Sequence, residues 1–299
     1  MKRSLLRGCA LLAGAALALS SCATAAPPAE ADAASAASES DWPAEAPAKV
    51  AKQRTVTVKV PVLVKESSFY ADGLLDEYIV YKYDDSKTRL LEALTYDAAR
   101  PEPIERLACE WKDGRKSAES VFDAEGKLKL RREFAYDAAG RLLSERVLDA
   151  RGQAQSSSSY AYDAAGQKTE WRAFDGSGAL RALTLYSEKA IEMRGSGGAA
   201  TGSILLERLP DGRVAKRSYL AADGSTQKVE LYLYGKASGP EAIETRRADG
   251  SLASKTSYTY GEAGAVLKSA TLDGGGAVRD SRSYEYALRE ETRTETYYE

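Results

Sequence analysis

The chain has 299 residues, with 42 Lys and Arg against 44 Asp and Glu and no His. A near-neutral balance opposes an electrostatic nucleic-acid footprint. The lack of His removes the commonest general base and metal ligand and excludes Ser-His-Asp and Cys-His nucleophile systems.

Residues 1–22 read as a targeting segment. Lys2, Arg3 and Arg7 form a positive start, an apolar run of Leu, Ala and Gly follows, and the segment ends Leu19-Ser20-Ser21-Cys22. A basic start, a short apolar stretch and small residues at the end make a secretory signal. The Cys after a Leu-small-small triplet resembles the lipobox of bacterial lipoprotein signals, which implies lipid attachment at Cys22 and cleavage before it. The alternatives are a plain secretory signal and a transmembrane anchor, the latter disfavoured because the run is shorter than the ~20 residues of a span. Without residues 1–22 and their three basic side chains, 39 basic stand against 44 acidic residues, a balance of −5. Ala23 follows the Cys, where an Asp would resemble an inner-membrane retention signal. Delivery to the outer membrane, on its periplasmic or surface face, is therefore expected.

Residues 23–54 are almost all Ala, Ser, Pro and acid. They have no apolar period and cannot bury enough surface to offset ordering, so a disordered tether is expected, with Trp42 its one oddity. Cys9 lies in the signal and Cys22 is the lipid site, which leaves Cys109 alone, a small packed residue with no disulfide partner.

From Thr55 onward the sequence reads as strands. Val56, Val58, Val60, Val62 and Val64 alternate with Thr57, Lys59, Pro61 and Leu63, the period of a strand. Pro61 cannot donate to a ladder, so one side of this strand should be unpaired there. Turn signals then recur. Glycines at 114, 126, 140, 152, 166 and 178 are separated by 12, 14, 12, 14 and 12, and the beat returns at 212, 224, 250, 264 and 276. Tyr232, Tyr258 and Tyr284 are 26 apart, as are Tyr234, Tyr260 and Tyr286. Two kinds of tip at opposite ends of the strands explain the alternation. The pattern predicts hairpins with strands of about 8–10 residues, roughly 17–19 of them, in an all-β antiparallel meander. A sheet that wide must curl, coil, stay as an extended single layer or close into a barrel; a curled, coiled or single-layer sheet is the expectation. Charge on both faces of strands such as Lys127–Phe134 argues against a lipid-facing barrel wall. Residues 193–202, rich in Gly, read as a longer flexible loop.

Phe134-Ala-Tyr-Asp-Ala-Ala-Gly-Arg-Leu142 recurs 26 positions later as Tyr160-Ala-Tyr-Asp-Ala-Ala-Gly-Gln-Lys168. Tyr136-Asp-Ala-Ala-Gly-Arg-Leu142 resembles the YD repeat of Rhs-type and teneurin-type proteins. Tyr162–Lys168 matches it except after the Gly; Tyr83-Asp84 and Tyr96-Asp97 keep only the dipeptide. The looser spacing covers most of residues 70–290. The resemblance implies hairpins wound into a shell; this chain lacks a terminal toxin-like module and is far shorter than an enclosing shell.

Asp-rich tips suggest turn capping first and calcium second, with Asp84-Asp85 and Asp97 near Glu102 as candidates. The tyrosines at 26-residue spacing, Tyr232, Tyr258 and Tyr284, suggest cross-strand packing or stacking on sugars. No paired carboxylate or nucleophile stands out, so no catalytic residue, cofactor or metal is implied. The sequence points to a lipid-anchored envelope protein that presents a β-sheet surface to a protein or glycan ligand. The alternatives are a secreted glycan-active enzyme and an immunity-type partner of a toxin.

Overall fold

In the computed structural model, residues 51–298 are described. The signal, Cys22, Trp42 and residues 23–50 of the expected tether lie outside the described residues; residues 51–54, read as the end of the tether, belong to β1. Within them the chain is entirely β: β1 (Ala51–Tyr70), β2 (Leu75–Tyr83), β3 (Leu90–Asp97), β4 (Glu105–Lys112), β5 (Arg115–Asp123), β6 (Leu128–Tyr136), β7 (Leu142–Asp149), β8 (Ala154–Tyr162) and β9 (Lys168–Asp175). Then follow β10 (Leu180–Tyr186), β11 (Ala190–Gly195), β12 (Ala200–Arg208), β13 (Val214–Ala221), β14 (Thr226–Tyr234), β15 (Pro240–Arg247), β16 (Leu252–Tyr260), β17 (Val266–Asp273) and β18 (Val278–Tyr298).

Most of the hairpins with a four- or five-residue turn are built the same way. At Asp137–Gly140 the Gly140 N–H donates to the Asp137 carbonyl at 3.0 Å, and the Asp137 N–H donates to the Arg141 carbonyl at 2.9 Å. The Asp137 carboxylate accepts the Arg141 N–H at 2.8 Å. The glycine closes the turn at φ 86°, and Gly166, its equivalent one repeat on, at φ 80°. An L residue with a Cβ is disfavoured there.

The strands pair antiparallel in chain order, and β18 pairs with β1. The expectation of an open curled, coiled or extended sheet is therefore corrected: the meander closes into an 18-stranded barrel. A β-bulge beside almost every tip was invisible in the pattern of glycines. Leu143 is skipped between the pairs Ala135↔Ser144 and Tyr136↔Leu142, and Thr169 and Leu267 are skipped at the same place in their hairpins. A bulge bends its strand and raises the local twist, so repetition around both rims curves the sheet until its ends meet.

The region around residues 193–202 is also corrected. Met193 and Arg194 belong to β11, and Thr201 and Gly202 to β12. Only a four-residue turn separates the two strands. Gly202 pairs inside the sheet where the Leu220 carbonyl lies 2.7 Å from where a Cβ would sit. Its glycine serves a close approach, not flexibility.

Pro61 lies where one side is open, as its chemistry requires. β2 pairs with β1 only from Lys65 to Phe69, and β17 pairs with β18 only as far as Ser283. Beyond that the two terminal strands run on as a ribbon, with Arg54 bonded to Glu295 at 3.0 Å. Lys87, at the β2–β3 tip, donates to the Leu288 carbonyl at 3.1 Å, which places Leu288 level with the rim. The rest of β18 extends roughly 30 Å past it at ~3.3 Å per residue.

The barrel wall is one layer thick. Among the described residues the buried apolar side chains are Leu94, Ala118, Val121, Leu148 and Ala242. Exposed mid-strand residues such as Arg146, Arg172, Leu205, Ser257 and Lys268 share one face, and Tyr160, Trp171, Ile204, Tyr219 and Tyr258, less exposed, share the other. The second face, evenly half-buried, is read as the inner one, since closure crowds the concave side; on the first, Leu94, Ala118, Leu148 and Ala242 are buried between larger exposed neighbours. Charge on both faces leaves no continuous apolar band for lipid tails.

Replacing Gly166 with Val should destabilise the protein by about 1–2 kcal/mol, and replacing it with Asn should cost less, because Asn tolerates the left-handed region. Denaturant unfolding of both variants checks this; a Val variant as stable as wild type would contradict the turn geometry.

Candidate functional site: the tyrosines of the inner wall and the rim

The two tyrosine ladders, equally spaced in sequence, occupy different places. Tyr234, Tyr260 and Tyr286 lie at the rim formed by the tips after the even-numbered strands. Their hydroxyls donate to the carbonyls of Val214, Pro240 and Val266 at 2.8 Å. Tyr136 and Tyr162 reach Lys116 and Leu142 in the same way at 2.9 Å. In each case the acceptor lies 20 residues upstream, at or near the start of the neighbouring odd-numbered strand. Trp111 repeats the device with its indole N–H on the Leu90 carbonyl at 2.8 Å. These side chains fasten each tip to the one before it. The tyrosine of the Tyr-Asp repeat is thus a rim fastener, a role that spacing alone did not separate from stacking.

Tyr232, Tyr258 and Tyr284 line the inner wall. Tyr232 sits in a polar cluster centred on Glu230. Its hydroxyl donates to Glu230 Oε2 at 3.2 Å, Tyr219 donates to the same oxygen at 2.9 Å, and Lys228 bonds Oε1 at 2.7 Å. The Arg217 guanidinium lies 5.3 Å from the Tyr232 ring centre and the Lys228 ammonium 3.9 Å from that of Tyr219. Burial pushes the Glu230 carboxyl up, but the bonds from Lys228 and Tyr219, with the Lys228 charge, outweigh it and hold the pKa below its ordinary value. Burial, with the Glu230 charge, raises that of Tyr232. Tyr258 is raised by burial, then by Tyr284 and Glu230. The hydroxyls of Tyr258 and Tyr284 make no hydrogen bond among the described residues, so these two are the ladder members with a free polar end.

The same wall carries Thr245, Ser254, Thr256, Ser269 and Thr271 between the tyrosines, by the pairing registers. Across the seam Arg282 bonds Glu66 at 2.5 Å and Tyr81 approaches the other Glu66 oxygen at 3.4 Å. A second cluster lies on β5–β7: Glu119, 5% exposed, takes Lys116 at 2.6 Å and Arg132 at 3.0 Å. These clusters left no sign in the sequence, because Tyr219 and Arg217 of β13 and Arg132 of β6 join them from neighbouring strands. Cys109 is half-buried on the same wall, and burial raises its thiol pKa.

The acidic tips cap turns. Asp84 accepts the N–H groups of Thr88 and Arg89 at 2.8 and 3.0 Å and the Ser86 hydroxyl at 2.8 Å. Those bonds, the Arg89 N–H above all, lower its pKa to about 2. Asp97 accepts the Ala99 N–H at 2.8 Å. No cluster of three or more acidic or sulfur ligands forms among the described residues. On the outer face a groove of about 480 Å³ crosses β16–β18, lined by Ser257, Ala270, Ser281 and Ser283 with Phe69 and Lys268. No carboxylate lines it.

No family model matches the chain, and no curated protein sequence matches it. Among solved structures, a porin-like protein from Bacteroides uniformis ATCC 8492 superposes with a TM-score of 0.40 and 11% identity, over 75% of this chain and 98% of that one. A porin-like protein from Bacteroides vulgatus ATCC 8482 gives 0.31 and 10%, over 75% and 98%. TcdB2-TccC3-TEV gives 0.21 and 12%, over 70% of this chain and 15% of that one. At these identities and scores they assign no activity, ligand or location to this chain.

Tyr162→Phe should remove the bond to the Leu142 carbonyl and destabilise the protein by about 0.5–1.5 kcal/mol. Hydrogen exchange should show faster opening of the β6–β7 and β8–β9 tips, with the tips at the opposite rim unchanged. Uniform loosening at both rims would contradict the fastening role.

Proposed function

We propose that this chain is a lipid-anchored protein of a bacterial envelope. Its hairpin barrel is a binding or scaffolding surface, with Tyr258 and Tyr284 of the inner wall contacting a glycan or a polar protein segment. The observation that carries the reading is that wall. Rings with free hydroxyls stand among Ser, Thr and fixed Arg–Glu pairs, a mixture that stacks on and hydrogen-bonds a hydrophilic ligand. The triplet before Cys22 supports anchoring, and Ala23 supports outer-membrane delivery. The capping of Asp137 and its glycine at positive φ support the likeness to YD-type hairpins.

Two measurements test the reading separately. Cys22→Ser should release the protein from the membrane fraction, because several acyl chains at ~0.8 kcal/mol per buried CH₂ anchor firmly. A variant as membrane-bound as wild type would contradict lipid attachment. Envelope glycans screened against the full chain should bind the wild type and bind Tyr258→Ala about 2–13-fold more weakly, the loss of ~0.5–1.5 kcal/mol of ring contact. Unchanged binding would remove the inner wall from the function.

A further inference from the structure

The two rims differ in chemistry. At one rim six of the eight strands that end there finish in tyrosine, at Tyr83, Tyr136, Tyr162, Tyr186, Tyr234 and Tyr260; at the other five of nine finish in aspartate, at Asp97, Asp123, Asp149, Asp175 and Asp273, and one in Tyr70. Taking each turn with one flanking residue on either side, the aspartate rim holds eleven acidic and four basic residues, a balance of −7. The tyrosine rim holds eight acidic and ten basic residues, a balance of +2.

Exposed leucines add to the contrast. Leu91, Leu143 and Leu267 are 40–42% exposed. All three are the skipped residues of bulges at the tyrosine rim. Leu233 and Leu288, also exposed, lie at the same rim. At the aspartate rim the exposed apolar residues, Tyr70, Leu74 and Val278, are confined to the seam.

We infer that the tyrosine rim rests on an anionic lipid surface. Tyrosines at the ends of strands, leucines turned outward between them and a slight positive balance make the composition of a membrane–water interface. The −7 rim would be repelled from the same surface. The route of the chain agrees, since the ribbon ending at Ala51, where the segment read as a tether joins, leaves from the tyrosine rim. The inference rests on the lipid-anchor reading, and its test separates the two.

The test uses the lipid-anchored full chain in a Cys109→Ser background, bearing an environment-sensitive dye on Leu143→Cys or Leu267→Cys at the tyrosine rim. Controls carry it on Leu74→Cys at the aspartate rim or Leu205→Cys on the wall. Vesicles of phosphatidylethanolamine and phosphatidylglycerol with brominated acyl chains act as quencher. The rim dyes should be quenched several-fold more than the controls. As a check without substitution, amides of the tips at 137–141 and 163–167 should exchange more slowly on vesicles than in detergent, while tips at 149–153 and 175–179 do not change. A chain that floats with vesicles but shows equal quenching and unchanged exchange keeps its anchor and overturns the docking. A chain that does not float overturns both.

Discussion

The pairing of β1 with β18 is the constraint on which the rest of the structure depends. A wall one residue layer thick gives each strand little apolar burial, so its stability comes from neighbours on either side. Left open, the sheet would end in two strands with a row of unsatisfied N–H and C=O groups, a template for aggregation. Closure removes that edge along the barrel, and Glu66–Arg282 marks the seam with a partly buried ion pair. The ribbon beyond the rim remains an edge, and it is blunted by Pro61, Lys59 and the charged run of β18, the devices natural sheets use against unwanted pairing.

Closure is in turn the sum of small local devices. The aspartate and glycine of the regular tips fix the turn, the skipped residue bends the strand, and the rim tyrosine fastens one tip to the next. None of these is worth more than about 1–2 kcal/mol, yet they recur around the ring, so stability is close to a sum of neighbour terms. The inner wall adds ion pairs and ring contacts that need no water-free core.

Much of this was legible in the sequence. The beat of glycines at 12 and 14 gave the hairpins, the two kinds of tip and the strand number, because a turn that needs positive φ leaves a glycine in the sequence. Pro61 marked an open side for the same reason, through its missing donor. Closure was not legible, because it depends on bulges at residues such as Leu143 and Thr169, and a skipped residue has no preferred side chain. The reading of residues 193–202 failed because glycine serves two purposes. Gly198 closes a turn with positive φ, whereas Gly202 makes room for a neighbouring carbonyl. At the candidate site the ladder was visible, but its division into fasteners and wall residues was not. Tyr232 and Tyr234 are two residues apart, and only the strand end decides which carbonyl a hydroxyl can reach. The clusters around Glu230 and Glu119 required the registers themselves.

Native-state hydrogen exchange across the seam tests closure most directly. In a closed barrel every amide from Lys65 to Phe69 and from Ser281 to Ser283 lies between two strands. Both alternate sets should then exchange as slowly as those in the middle of β6, β7 and β8. In an open sheet, the alternate amides of β1 that point away from β2, and those of β18 that point away from β17, would exchange at the rate of exposed backbone. That two-rate pattern would contradict the barrel.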